Sequence, residues 1–261
     1  MKGLIICYST TGNTLLVADQ IALSLCEKQI ETIVRDPVIE PKFDDIHKYD
    51  IVGFGAPTMA WKPAYGFFES LGLVPKQNKS IPAFVFCTSG GQPLNTLRIM
   101  SQTLSKKNFI VISGIEIIAE TNWPMSRQLG KIGEGYIGRP NKSDLELIPP
   151  FVEKTSKILE SRNITSEYFP FRLHPLHFVG QFTSSKDLRR SMGIKILDKN
   201  KCVQCAKCAA HCSSKAISLD PFPVFSNRCS GCWSCYNICP TGAISTLLTG
   251  RRGVYNGPVK S

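Results

Sequence analysis

The chain has 261 residues, 43% hydrophobic and 20% charged, which is enough apolar material for one large core and one small one. Its formal charge of +11 raises the question of nucleic acid, but no aromatic-plus-arginine motif of the RNA- or DNA-binding kind is present, so no nucleic-acid partner is expected. No stretch approaches the ~18 apolar residues of a membrane span, and the apolar run before Ser9 is too short for a signal peptide. A cytoplasmic protein is expected.

Residues 2–8 form a short apolar run of buried-strand type, followed by Ser9-Thr10-Thr11-Gly12-Asn13-Thr14. A helical pattern through Leu15, Leu16, Ala18, Ile21, Ala22 and Leu25 comes next. Further strands are expected at 31–35, 51–55, 83–88 and 109–118, and helices over 64–72, 94–106 and 144–162. Alternating strands and helices with near-continuous apolar strands predict an α/β fold with a parallel, doubly wound, five-stranded sheet.

The turn at 9–14 has the chemistry of a phosphate site. Backbone N–H groups at a helix N-terminus and short hydroxyls wrap a dianion without a cationic side chain, and Gly12 permits close approach. A Ser/Thr-rich helix cap is the simpler alternative. The motif [ST]-x-T-G-x-T, matched at Ser9, Thr11, Gly12 and Thr14, resembles the phosphate loop of the flavodoxins. That resemblance implies an FMN at the carboxyl ends of the strands. It implies that Pro57, Thr58, Met59, Ala60 and Trp61 flank the flavin ring, with Trp61 stacking on it, the alternative for Trp61 being a half-buried packing residue. Thr88, Ser89, Gly90 and Gly91 form the second ring loop, which lacks the tyrosine common in small flavodoxins and leaves that face open to Trp123 or to the C-terminal part.

Residues 133–138 match G-x-G-x-x-G, but no apolar strand precedes them and Arg139-Pro140 follows where a helix should start. A surface loop is expected, not a nicotinamide site. The segment 164–192 is too aromatic for a free linker and too proline-broken for a long helix, and His174 and His177 within it read as packing or surface residues.

Cys202, Cys205, Cys208 and Cys212 form C-x2-C-x2-C-x3-C, and Cys229, Cys232, Cys235 and Cys239 repeat that spacing 27 residues later. Structural zinc takes pairs of ligands with a longer spacer, and a disulfide framework needs an oxidising compartment. Soft thiolates at these intervals suit iron–sulfur cubanes. Residues 193–248 resemble the two-cluster bacterial ferredoxins, although Ser213 stands where a proline usually follows the fourth cysteine. The resemblance implies crossed ligation by two [4Fe–4S] clusters. Cys202, Cys205, Cys208 and Cys239 would hold one, and Cys229, Cys232, Cys235 and Cys212 the other. Oxygen-sensitive cubanes fit an anaerobic host. Cys7, Cys26 and Cys87 lie in or beside apolar runs and are expected to be buried.

The chain as a whole resembles the flavodoxin–ferredoxin fusion proteins. This implies a flavodoxin-like FMN domain over 1–163, a connector over 164–192, and a small α+β two-cluster ferredoxin domain over 193–261. The expected function is passage of single electrons between clusters and FMN, linking low-potential donors to a protein redox partner. The alternative is a flavin-dependent reductase acting on a small acceptor, for which Asn122, Arg127 and Tyr136 are the polar candidates. Residues 193–261 carry nine basic and two acidic side chains. Lys195, Lys199, Lys201, Lys207, Lys215, Arg228, Arg251 and Arg252 either form a docking face for an acidic partner or offset the clusters' own charge. Which cluster lies nearer the flavin is left open.

Overall fold

The computed structural model describes residues 1–125, 136–191, 193–250 and 253–258. Strands β1 (Lys2–Cys7), β2 (Glu31–Arg35), β3 (Ile51–Met59), β5 (Ile81–Ser89) and β6 (Phe109–Ile118) are parallel, in the order β2-β1-β3-β5-β6. With the two-residue β4 (Lys62–Pro63) set aside, this is the flavodoxin-like 2-1-3-4-5 order.

Strands covered on both faces must be apolar on both. Leu4 and Ile6 of β1 enter one core, and Ile5 and Cys7 enter the other. Helices α2 (Tyr65–Leu73) and α3 (Thr96–Ser105) close the first core with Phe67, Leu71, Leu97, Met100 and Leu104. Helices α1 (Asn13–Glu27) and α5 (Ile148–Glu160) close the second with Val17, Ile21, Leu25, Phe151 and Val152. Gly53 and Gly55 of β3 make room there for the Phe84 and Phe86 rings, into which a Cβ at either glycine would run.

Two elements differ from expectation. Strand β3 continues to Met59 and turns back into β4, pairing Met59 with Lys62. Ala60 and Trp61 form that turn with φ of 49° and 59°, the left-handed pair a two-residue hairpin of this twist requires. The single helix expected over 144–162 is two. Helix α4 (Lys142–Leu145) is held by a capping box of Asn141 and Asp144, and α5 starts afresh at Ile148. Pro149 and Pro150 have no N–H to give and fit only a first turn.

After α5 the chain runs beside β6, where the Glu167 N–H donates to the Val111 carbonyl and Arg98 donates to the Phe169 carbonyl. Two short helices follow, α6 (Pro175–Phe182) and α7 (Ser185–Ser191). Gly180 of α6 lies against the Ala60 carbonyl, and Lys62 and Tyr65 both donate to the Thr183 carbonyl at 2.7 Å. Leu188 of α7 is buried beside Gly231.

The cysteine-rich part is small and α+β. β7 (Lys195–Leu197) pairs antiparallel with β10 (Ile244–Thr246), and β8 (Ile217–Asp220) with β9 (Phe222–Phe225). Helices α8 (Lys207–Ala210) and α9 (Ser234–Ile238) each follow the second cysteine of a run. The sequence repeat recurs in the backbone. Ala206 and Trp233, which cap these helices, have φ of 58° and 64°. The Ala216 and Ala243 N–H groups donate to the fourth sulfur of each run, Cys212 at 3.3 Å and Cys239 at 3.2 Å. Trp233, Tyr236, Ile244 and Cys208 make a core too small to carry the fold alone. Among the described residues, no helix is long and apolar enough to cross a membrane.

Candidate functional site

Gly12 ends the turn after β1 at φ 102° and caps α1, with no side chain capping the helix. Its own N–H goes to Ser9 Oγ at 3.1 Å. The N–H groups of Thr11, Asn13, Thr14 and Leu15 have no acceptor among the described residues. The first turn of α1 holds no acidic residue, so the positive end of its dipole is uncompensated. Thr11, Asn13 and Thr14 among these donors border an open cleft whose wall also includes Ser9 and Thr10. Pro57 and Thr58 reach it from β3, Thr88, Ser89 and Gly90 from the end of β5, and residues 119–122 from beyond β6. The cavity lies at the carboxyl ends of the strands, at the switch point between β1 and β3. Unpaired amides, hydroxyls and a helix N-terminus make a donor set that fits a phosphate.

Met59, Ala60, Trp61 and Gly91 do not line this cavity. The first three belong to the β3–β4 hairpin, on which α6 rests. Gly91, at φ 112°, lies against the Tyr136 hydroxyl. A tyrosine from farther along the chain thus stands at the loop that has none of its own.

A second pocket has Cys202, Cys205, Cys208 and Cys239 on its wall. Burial raises the Cys208 thiol pKa, and Cys239 and Cys205 raise it further against a bond from the Ala209 N–H. Burial pushes the Cys212 thiol up to about 11, opposed by the Ala216 N–H and reinforced by Cys232 and Cys229. Burial likewise lifts Cys235 well above an ordinary thiol, and Cys232, Cys229 and Cys212 add to it while Lys195 opposes. The thiols thus gather as Cys202, Cys205, Cys208 and Cys239 on one side and Cys212, Cys229, Cys232 and Cys235 on the other. Thiols that raise one another's pKa lose their protons together only around a cation, which the irons of a cubane supply. The donor sets fit that group. Among the described residues, no three His, Cys, Asp or Glu side chains converge on a single metal ion.

Hydrogen bonds join the phosphate-type turn to one cysteine set. Asn122 Nδ2 donates to Thr10 Oγ1 at 2.9 Å and to the Cys232 carbonyl at 3.1 Å. Ser234 Oγ donates to the Thr10 carbonyl at 3.1 Å, and Asn237 donates to the Asn122 carbonyl at 3.0 Å. The hydroxyl of Tyr8, immediately before the turn, lies 3.3 Å from Ser213 Oγ. Ser213 therefore has a polar partner that a proline could not serve. The chain returns after β10 to close the contact. Tyr255 Oη donates to Asn13 Oδ1 at 2.5 Å, and its N–H donates to Asn237 Oδ1 at 2.8 Å. The set containing Cys232 adjoins the turn.

Several expectations about single residues are corrected. Cys7 and Cys87 are buried, but Cys26 is exposed on the outer face of α1. Lys195 is buried and so unavailable to a docking face, the first of its two readings. Trp123 packs on the Trp233 core instead of facing the first cavity. His174 Nδ1 accepts from the Leu176 N–H. Arg127, Arg251, Arg252 and residues 133–135 of the glycine motif lie outside the described residues. Gly138 donates to Glu120 Oε2, and among the described residues after it the next helix begins at Lys142. Sequence reasoning missed Asn237, Ser234, Tyr255 and the bridging role of Asn122, since nothing in their spacing marks them.

The family model for a 4Fe-4S binding domain matches residues 222–245. Over 55 residues, 20% of this chain, the sequence is 42% identical to the pyruvate synthase subunit PorD of Methanocaldococcus jannaschii, and it spans 64% of that protein's length. Among solved structures, a flavodoxin from the domain Archaea is similar at 16% identity and a TM-score of 0.45, over 61% of this chain and 99% of that one. Oxidised flavodoxin 1 from Bacillus cereus is similar at 20% identity and a TM-score of 0.44, over 60% and 98%. With its strand order and its 4Fe-4S match, this chain joins a flavodoxin-like α/β domain to an iron–sulfur domain of the ferredoxin type.

Proposed function

We propose that this is a cytoplasmic electron-transfer protein passing single electrons between two [4Fe–4S] clusters and an FMN. The observation that carries the reading is the contact between the two candidate centres, in which Thr10 of the phosphate-type turn accepts from Ser234 and from the Asn122 that also reaches Cys232. FMN exchanges one or two electrons and each cubane one, so a protein holding both splits or pools electron pairs. Ser9, Thr10, Thr11, Gly12, Asn13 and Thr14 hold the phosphate, and Pro57, Thr58, Thr88, Ser89 and Gly90, which line the same cavity, flank the ring. Cys202, Cys205, Cys208 and Cys239 hold an outer cluster, and Cys212, Cys229, Cys232 and Cys235 an inner one. Residues 1–163 form the flavin domain, 164–192 the connector and 193–261 the cluster domain.

The partner is a protein. Cys205 is exposed on the outer cluster, and exposed Lys199, Lys201, Lys207, Lys215 and Arg228 give that domain a basic surface for an acidic partner. Similarity to a protein named as a pyruvate synthase subunit supports a protein partner on one side of the exchange. The cofactor content is the first test. Protein purified without oxygen should carry about eight irons, four per cubane, with one non-covalent FMN. Zinc, or about four irons after full reconstitution, would defeat the assignment.

A further inference from the structure

Lys195 is 6% exposed. Its ammonium lies 4.0 Å from the centre of the Trp233 ring and donates to the Gly193 carbonyl at 3.1 Å. Among the described residues it forms no ion pair. A buried ammonium without an anion is costly, and a ring face and one carbonyl do not neutralise it. Trp233, on whose ring the ammonium sits, directly follows Cys232, and Cys235 packs against the same small core. The anion that it faces is thus the inner set of sulfurs.

The repeat provides an internal control. Twenty-seven positions after Lys195, on the equivalent strand β9, stands Phe222, and the helix cap equivalent to Trp233 is Ala206. The outer set therefore has the same backbone and the same Ala N–H to its last sulfur, but a phenylalanine in place of the buried cation. Lys199 lies 5.6 Å from the centre of the Phe222 ring but is exposed, where water and salt screen it. Glu69, which accepts from Ser214 and raises Cys212, opposes Lys195 at the inner set, but it too is exposed. Of Lys195 and Glu69, only Lys195 is buried.

Resting on the two-cluster reading, we infer that Lys195 is the counter-ion of the cluster held by Cys212, Cys229, Cys232 and Cys235 and raises that cluster's reduction potential selectively. A cubane becomes more negative on reduction, so a fixed positive charge beside it stabilises the reduced form more than the oxidised one.

The test is a redox titration of anaerobically purified holoprotein, followed by electron paramagnetic resonance, for wild type, Lys195→Met and Lys195→Arg. Methionine keeps the apolar stem and removes the charge; arginine keeps the charge. Lys195→Met should weaken reduction of one cluster at least tenfold, about 59 mV for one electron, and leave the other unchanged. Lys195→Arg should stay close to wild type and shows that the site tolerates substitution. The shifted signal should be the one that survives in Cys239→Ser, which removes an outer ligand. No shift in Lys195→Met, equal shifts of both signals, or a shift of the outer signal would overturn the role of Lys195. A wild-type iron content of about four would instead end the two-cluster reading, so the two failures are distinguishable.

Discussion

Cys239→Ser should cost the protein one cluster, and the cluster lost should be the one served by Cys202, Cys205 and Cys208. Cys239 follows Cys229, Cys232 and Cys235 in sequence, yet it lines a cavity with the first run. A serine hydroxyl is a harder and far less acidic ligand than a thiol, so one iron is left without its soft donor. Iron should fall from about eight to about four, and the remaining spectrum should match that of Cys202→Ser and differ from that of Cys229→Ser. A Cys239→Ser spectrum matching Cys229→Ser would mean that each run holds its own cluster.

Gly12→Val should release the flavin and spare the iron. At φ 102° the residue is in left-handed backbone, which a β-branched side chain adopts only under strain. The added Cβ would also come within 3.0 Å of Pro258. Strain of about 1–3 kcal/mol, relieved by moving the turn, displaces the N–H groups from their common focus. FMN affinity should drop roughly tenfold to a hundredfold, one factor of ten per 1.4 kcal/mol. Iron content should not change, because the cysteines fold around a separate core. Unaltered flavin affinity would reduce the turn to a helix cap.

What could be read in the sequence follows physical lines. The bounds of β2 and β6 match the expected spans because runs such as Glu31-Thr-Ile-Val-Arg35 are rich in β-branched residues bounded by polar ones. The cysteine runs and the phosphate-type turn were legible because their chemistry fixes residue type and spacing together. The β3–β4 hairpin was not, since Ala60 and Trp61 carry positive φ without the asparagine or glycine that would announce it. The buried position of Lys195 was not either, because a lysine looks the same in sequence whether it faces water or a ring. The contact of Tyr255, Asn237 and Asn122 across more than a hundred residues has no local signature at all. Contacts of this kind settle which cysteine set adjoins the turn, a question the spacing alone could not answer.

The central claim is that clusters and flavin exchange electrons inside one chain. Tethered centres have an effective concentration that can reach millimolar, so neither needs diffusion to meet the other. Anaerobic stopped-flow reduction should show cluster bleaching and flavin reduction coupled at a rate that stays constant as protein concentration is varied tenfold. A rate that rises in proportion to concentration would mean that the electrons move between molecules, and would contradict it.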